Sequence, residues 1–73
     1  MVIVNAHAFD KNSPAFYGEQ IRAESKEEFN AKMKEFEDSI PFSKYYTELA
    51  AQSPLLDEVD LEIVSDYDVE LFN

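Results

Sequence analysis

The side chains with the clearest spacing in this chain are carboxylates. In the run of residues 59–73, Asp60, Glu62, Asp66, Asp68 and Glu70 alternate with Val59, Leu61, Ile63, Tyr67, Val69 and Leu71. Oxygen ligands at alternate positions raise the question of calcium. A calcium loop, however, gathers its ligands around a sharp turn, usually at a glycine. No glycine lies in the run, and an extended strand would spread these groups in a line. A carboxylate pair also serves glycoside hydrolysis. A chain of 73 residues has little material for a substrate cleft, typically several hundred Å³.

Other reactive groups are scarce. His7 is the single histidine, placed mid-strand between Ala6 and Ala8, and there is no cysteine. The serines (Ser13, Ser25, Ser39, Ser43, Ser53 and Ser65) occupy turn and cap positions that explain them without catalysis. Gly18 is the one glycine, so a glycine-rich phosphate loop cannot form. The expectation is a protein that is not an enzyme and has no cofactor and no metal site.

Alternation of apolar and polar residues is the mark of a half-buried strand. Residues 59–73 are therefore read as one long strand, bent near Val64-Ser65. A hairpin fares worse. A two-residue turn at Ser65-Asp66 mixes apolar and acidic side chains on both faces, against the alternation. A three-residue loop sets Glu62 against Asp68 and Asp60 against Glu70, and directly opposed like charges destabilise a sheet. On a single strand, neighbouring carboxylates of one face stand about 6.7 Å apart.

Charge is divided unevenly. Net charge is −10, from 16 acids and 6 bases. Residues 1–44 hold 8 of the acids and all 6 bases, whereas residues 45–73 hold the other 8 acids and no base. Direct binding to nucleic acid or to an anionic membrane is disfavoured, and a basic partner surface is favoured. The bland use of such a face is solubility and protection of an edge strand from pairing. The N-terminus lacks the pattern of a signal peptide, and nothing approaches the ~20 apolar residues of a membrane span. A cytoplasmic protein is expected.

The elements that must position the acids follow from the chain in order. Residues 1–9 read as a strand with Val2, Val4, Ala6 and Ala8 on one face and Ile3, Asn5, His7 and Phe9 on the other. A turn-forming stretch, Asp10 to Pro14, leads to a second strand over 15–23, with Phe16, Gly18, Gln20 and Arg22 on one face. Ser25-Lys26-Glu27-Glu28 is a capping box for a helix whose stripe is Phe29, Met33, Phe36 and Ile40. Pro41 ends it. Glu28 with Lys32, and Lys34 with Asp38, are i,i+4 pairs. Ser43 caps a second helix to about Gln52, with Tyr46, Leu49, Ala50 and Ser53 inward, closed by Ser53-Pro54. With six Phe and four Tyr, aromatic side chains supply much of the core.

The expected fold is a single α+β domain over 1–73, a small two-layer sandwich of order β-β-α-α-β. Its three-stranded antiparallel sheet has the first strand in the middle and both helices on one face. The acidic strand lies at an edge with its carboxylates on the uncovered face.

In size, acidity, and lack of cysteine and of catalytic residues, the chain resembles the small phage-encoded inhibitors of host defence. These include anti-CRISPR and anti-restriction proteins, many of which act as DNA mimics. The resemblance implies an inhibitor whose carboxylates stand in for phosphates on a basic, nucleic-acid-binding surface of a CRISPR effector, restriction enzyme or similar protein in the host cytoplasm. Charge and spacing, not the resemblance, name the residues such a surface would use: Asp60, Glu62, Asp66, Asp68 and Glu70 along one line, supported by Glu48, Asp57 and Glu58, with Tyr45 as an exposed anchor. The other reading is a small adaptor or assembly protein that acts through a sheet edge or as a homodimer. The two differ in salt: decoy binding weakens steeply with ionic strength, an apolar interface does not.

Overall fold

The computed structural model describes residues 1–52 and 57–70. Strand β1 (Val2–Asp10) forms because small and β-branched residues alternate with larger ones. Val2, Val4, Ala6 and Ala8 are fully buried, and Ile3, Asn5, His7 and Phe9 are half-exposed on the other face. Strand β2 (Phe16–Ala23) pairs antiparallel with β1, from Val2 opposite Ala23 to Phe9 opposite Phe16. Asp10 organises the connecting loop. Its carboxylate accepts from the Asn12 backbone N–H at 2.9 Å and from the Ser13 hydroxyl at 2.7 Å, and the Asp10 N–H closes the hairpin onto Ala15 O at 3.0 Å.

Helix α1 (Lys26–Ser39) starts at Ser25, whose hydroxyl accepts from the Glu28 N–H at 3.2 Å. The return arm differs from the expected box: Glu28 Oε1 accepts from the N–H of Glu24 at 2.9 Å, one residue earlier than Ser25. The stripe Phe29, Met33 and Phe36 is buried and Ile40 half-buried, and the helix stops before Pro41. Glu28 and Lys32 approach to 4.0 Å; Lys34 and Asp38 form no ion pair among the described residues.

The expected second helix over 43–52 is instead strand β3 (Tyr45–Ala51). Two physical reasons favour the strand. Tyr45-Tyr46-Thr47 is aromatic and β-branched, a composition that fits a pleated half-buried surface. The strand also satisfies the far edge of β1, with which β3 pairs antiparallel from Val4–Ala51 to Asp10–Tyr45. Leu49 and Ala51 then face the helix and are buried, whereas Tyr46 and Ala50, assigned to the same helical stripe as Leu49, lie on the opposite sheet face. Ser53 and Pro54 lie outside the described residues.

The long C-terminal strand is also corrected. Residues Glu58–Ile63 form helix α2, capped by Asp57, whose carboxylate accepts from the Asp60 N–H at 2.8 Å. Among the described residues of the run only Val69–Glu70 extends, as strand β4, pairing parallel with β3 through Leu49–Val69 and Ala50–Glu70; residues 71–73 lie outside the described residues. In the first half of the run the helical period overrides the alternation: Asp60, Ile63 and Val64 turn inward, and Val59 and Leu61 are exposed at 56% and 44%. The bend expected at Val64-Ser65 is where the helix ends.

The fold is therefore α+β with a four-stranded mixed sheet, order β2-β1-β3-β4, rather than three antiparallel strands. β1 does lie between two antiparallel neighbours. One core forms from the even residues of β1, Ile21, Ala23, Leu49, the α1 stripe, Ile63 and Val64. Tyr17 stacks on Phe36 at 5.7 Å, and Tyr67 meets Phe29 edge-on at 5.0 Å. Both helices contribute to this core on one sheet face. No helix among the described residues is long and apolar enough to cross a membrane.

Candidate functional site

The run of acids that looked uniform in sequence divides into groups with different surroundings. Asp60 is 6% exposed. Its Oδ1 lies 3.2 Å from the Met1 amino group, an ion pair whose geometry does not make a hydrogen bond. It is not available to a partner, which corrects its place among the expected contacts. Asp57 is exposed but committed to the α2 cap. Asp66 bonds Lys26 Nζ at 2.9 Å, and the same ammonium reaches the Ser65 hydroxyl at 3.2 Å. The Asp66 hydrogen bond raises the Lys26 pKa above the usual lysine value, more than partial desolvation lowers it. Glu58 and Glu62 are exposed on α2.

Glu48, Asp68 and Glu70 do come together. β3 supplies Glu48, the turn after α2 supplies Asp68, and β4 supplies Glu70. With Thr47, Leu49 and Val69 they line an open cleft of about 370 Å³. The parallel register is what joins them: Ala50 opposite Glu70 sets Glu48 one strand-step away on the same face. These three carboxylates do not converge as metal ligands, and no group of three or more potential ligands does so among the described residues. A second open cleft of about 360 Å³, between β2 and α1, mixes Glu19 and Glu35 with Arg22 and Lys32.

Tyr45 is not the exposed anchor. It sits opposite Asp10 on the helix-facing side, half-buried against the core. Its neighbour Tyr46 takes the outward position, 49% exposed, and stacks on Phe9 at 5.1 Å. Phe16, 63% exposed, lies 6.1 Å from Phe9 and 6.0 Å from His7. His7 and Phe9 are themselves 6.1 Å apart. Four rings thus form one band across the uncovered sheet face. The alternation in β1 and β2 already places His7, Phe9 and Phe16 on one face; only the helical reading of residues 43–52 kept Tyr46 from joining them. Gly18 stands opposite His7, and a Cβ there would come within 2.8 Å of His7 Cδ2. The glycine is what lets the imidazole lie across β2.

Two other groups have shifted acidities. Hydrogen bonds from Asn12 and Ser13 hold the Asp10 carboxyl below the usual aspartate value. Desolvation raises the Tyr67 phenol, helped by the charges of Glu37 and Asp66; its hydroxyl donates to Asn30 Oδ1 at 2.9 Å.

The fold and surface together define a small α+β protein with an acidic C-terminal flank and an aromatic sheet face. Compared with known proteins, the chain matches no family model, no curated protein and no solved structure.

Proposed function

We propose that the protein is a non-enzymatic inhibitor, of the kind that phages and mobile elements encode against host defence. It binds a basic, nucleic-acid-binding surface of a host protein in the cytoplasm, with carboxylates in place of phosphates. The observation that carries this reading is the gathering of Glu48, Asp68 and Glu70 at one cleft, in a segment, residues 45–73, that holds no base. Glu58 and Glu62 add exposed negative charge on α2, Asp57 caps that helix, Asp60 is buried and Asp66 is paired with Lys26. Lys- and Arg-lined grooves that bind phosphates gain most of their non-specific affinity from charge neutralisation, and a row of carboxylates supplies the same charge without nucleic acid.

The test is capture of partners from bacterial lysate by the tagged protein at low and high salt. A Glu48→Gln/Asp68→Asn/Glu70→Gln variant runs beside it. The expected result is one nucleic-acid enzyme, released by salt, competed off by DNA and lost in the variant. Capture of the same partners by the variant would refute the reading.

A second reading, an adaptor that adds a partner strand, has its own observation. β2 is eight residues long and, among the described residues, has a single hydrogen-bonded neighbour in the sheet. The hairpin bond at Asp10–Ala15 fixes the phase of the ladder, so the backbone groups of Phe16, Gly18 and Gln20 point outward at the edge. The Lys32 ammonium covers the Arg22 carbonyl further along. Binding by this route would be insensitive to salt and to the triple variant.

A further inference from the structure

On the uncovered sheet face the charges are sorted along the strands. The Lys11 N–H donates to Lys44 O at 3.0 Å and carries the β1–β3 ladder one pair beyond Asp10 and Tyr45. Alternation then sets Lys44, Tyr46 and Glu48 in one line on β3, two residues apart, and Lys11, Phe9 and His7 in the matching line on β1. An aromatic band therefore separates a basic end from a carboxylate side. Lys11 and Lys44 make the basic end, with Arg22 apart from them near the far end of β2, opposite Ile3. Glu48, Asp68 and Glu70 make the carboxylate side, in a chain of net charge −10.

We propose that this face is a self-association surface, on which two copies pack about a two-fold axis crossing β3 at Tyr46. The axis lies in the interface plane, across the strands. It sets Phe9, Phe16 and Tyr46 against the same band of the second copy, and Lys44 opposite Glu48 of that copy, twice over. A surface that is self-complementary in this way is what an isologous dimer requires.

Three features select a second copy as the occupant. Large exposed aromatic patches on small proteins mark interaction sites. Two chains of like net charge repel through most of their surface, and on this face Lys44 and Glu48 offer each copy an opposite charge. Sheets stack about 10 Å apart with strands within about 30° of each other when their faces are regular, and the β1–β2 and β1–β3 registers run without a bulge. The molecule measures 38 × 25 × 17 Å, so its broad face is of the scale of the about 800 Å² per partner that a standard interface buries. The proposal goes beyond the inhibitor reading and does not depend on it.

Sedimentation equilibrium of the full chain over a wide concentration range tests it. The expected result is a reversible species of twice the 8.4 kDa chain mass. Tyr46→Lys and Phe16→Lys, both at exposed positions, should each keep the circular dichroism of the wild type. Each should also weaken association by about a hundredfold, the scale of a central aromatic hot spot. Lys44→Glu should weaken it by roughly tenfold through two rim pairs, and Lys44→Glu/Glu48→Lys should restore it. A wild-type chain that stays at monomer mass throughout overturns the proposal. So does a dimer that Tyr46→Lys and Lys44→Glu leave unchanged, as pairing through the β2 edge would be. Should Tyr46→Lys fail to fold, the Lys44–Glu48 swap decides alone.

Discussion

Replacing Gly18 by alanine tests the open face in its most crowded spot. An added Cβ would lie 2.8 Å from His7 Cδ2, 3.1 Å from Nε2 and 3.4 Å from Ala6 O. The backbone contact is tolerable and the φ of Gly18 is not positive, so the conflict is with the imidazole. That ring has rings on two sides, Phe9 and Phe16 at about 6 Å, and must tilt away from a packed position. Overpacking of this kind costs about 1–3 kcal/mol. Against it stands a gain of about 0.4–1 kcal/mol from the lower entropy of the unfolded chain. The net in the wild type is a destabilisation of about 1 kcal/mol. In a His7→Ala background the obstacle is gone and only the gain remains, so Gly18→Ala should become stabilising. The coupling between the two sites is then about 1–2 kcal/mol. Urea denaturation of the four proteins, at a protein concentration low enough to suppress association, measures it through the midpoints at constant slope. A shift in melting temperature of about 4–8 °C per kcal/mol accompanies it in a chain of this size. Equal effects of Gly18→Ala in both backgrounds would refute the argument that His7 needs the glycine.

Other outcomes follow from the packing and the shifted groups. Asp57→Ala removes the α2 cap and should cost about 1 kcal/mol, with a loss of amide protection at Asp60 and Leu61 in hydrogen exchange; unchanged protection would mean the cap is idle. Phe36→Ala deletes a fully buried ring stacked on Tyr17 and should cost about 3–5 kcal/mol, enough to unfold much of the population at 37 °C by circular dichroism. In alkali, Lys26 and Tyr67 act in the same direction. Both have folded pKa values raised above the usual 10.5 and 10.0, so their stabilisation is complete below those values and is lost as pH rises through the folded ones. The urea midpoint should fall above about pH 10, and Asp66→Asn should remove the Lys26 part. In acid the sign reverses for Asp10, whose pKa is lowered from 3.8. Its contribution is present above that value and disappears as pH falls through the depressed one, an effect that Asp10→Asn should abolish.

Much of the N-terminal half of the fold was legible because local signals agreed there. Alternation in β1, turn residues from Asp10 to Pro14, and the Ser25 cap with its Phe29–Met33–Phe36 stripe each name one structure. The expected boundaries of both strands and the helix fall within a residue or so of the observed ones. Agreement broke down after Pro41. Residues 45–51 carry apolar side chains at spacings that suit a short helix and a strand alike, and only the unpaired edge of β1 decides between them. Residues 58–63 alternate cleanly and yet coil, because Asp57 caps them and because Ile63 and Val64 fill the core from a helix. The candidate site inherits both errors. Asp68 and Glu70 were singled out by alternation and Glu48 by charge, and their meeting depends on a β3–β4 pairing that no local signal announces. Asp60 was singled out by the same alternation, and the helix turned it inward.

Residue order alone is enough for an acidic chain without cysteine, with its bases confined to residues 1–44, and for an antiparallel hairpin followed by an amphipathic helix. These are short-range properties, fixed by the period of side chains along the backbone and by caps and turns a few residues long. Long-range pairing is needed to give the sheet four strands in mixed order, to turn Tyr46 rather than Tyr45 outward, and to bring three of the acids to one cleft. Those outcomes depend on which distant segment completes the hydrogen bonds of β1 and β3. That competition is settled by pairing and burial across the whole chain, not by the residues of the segment itself.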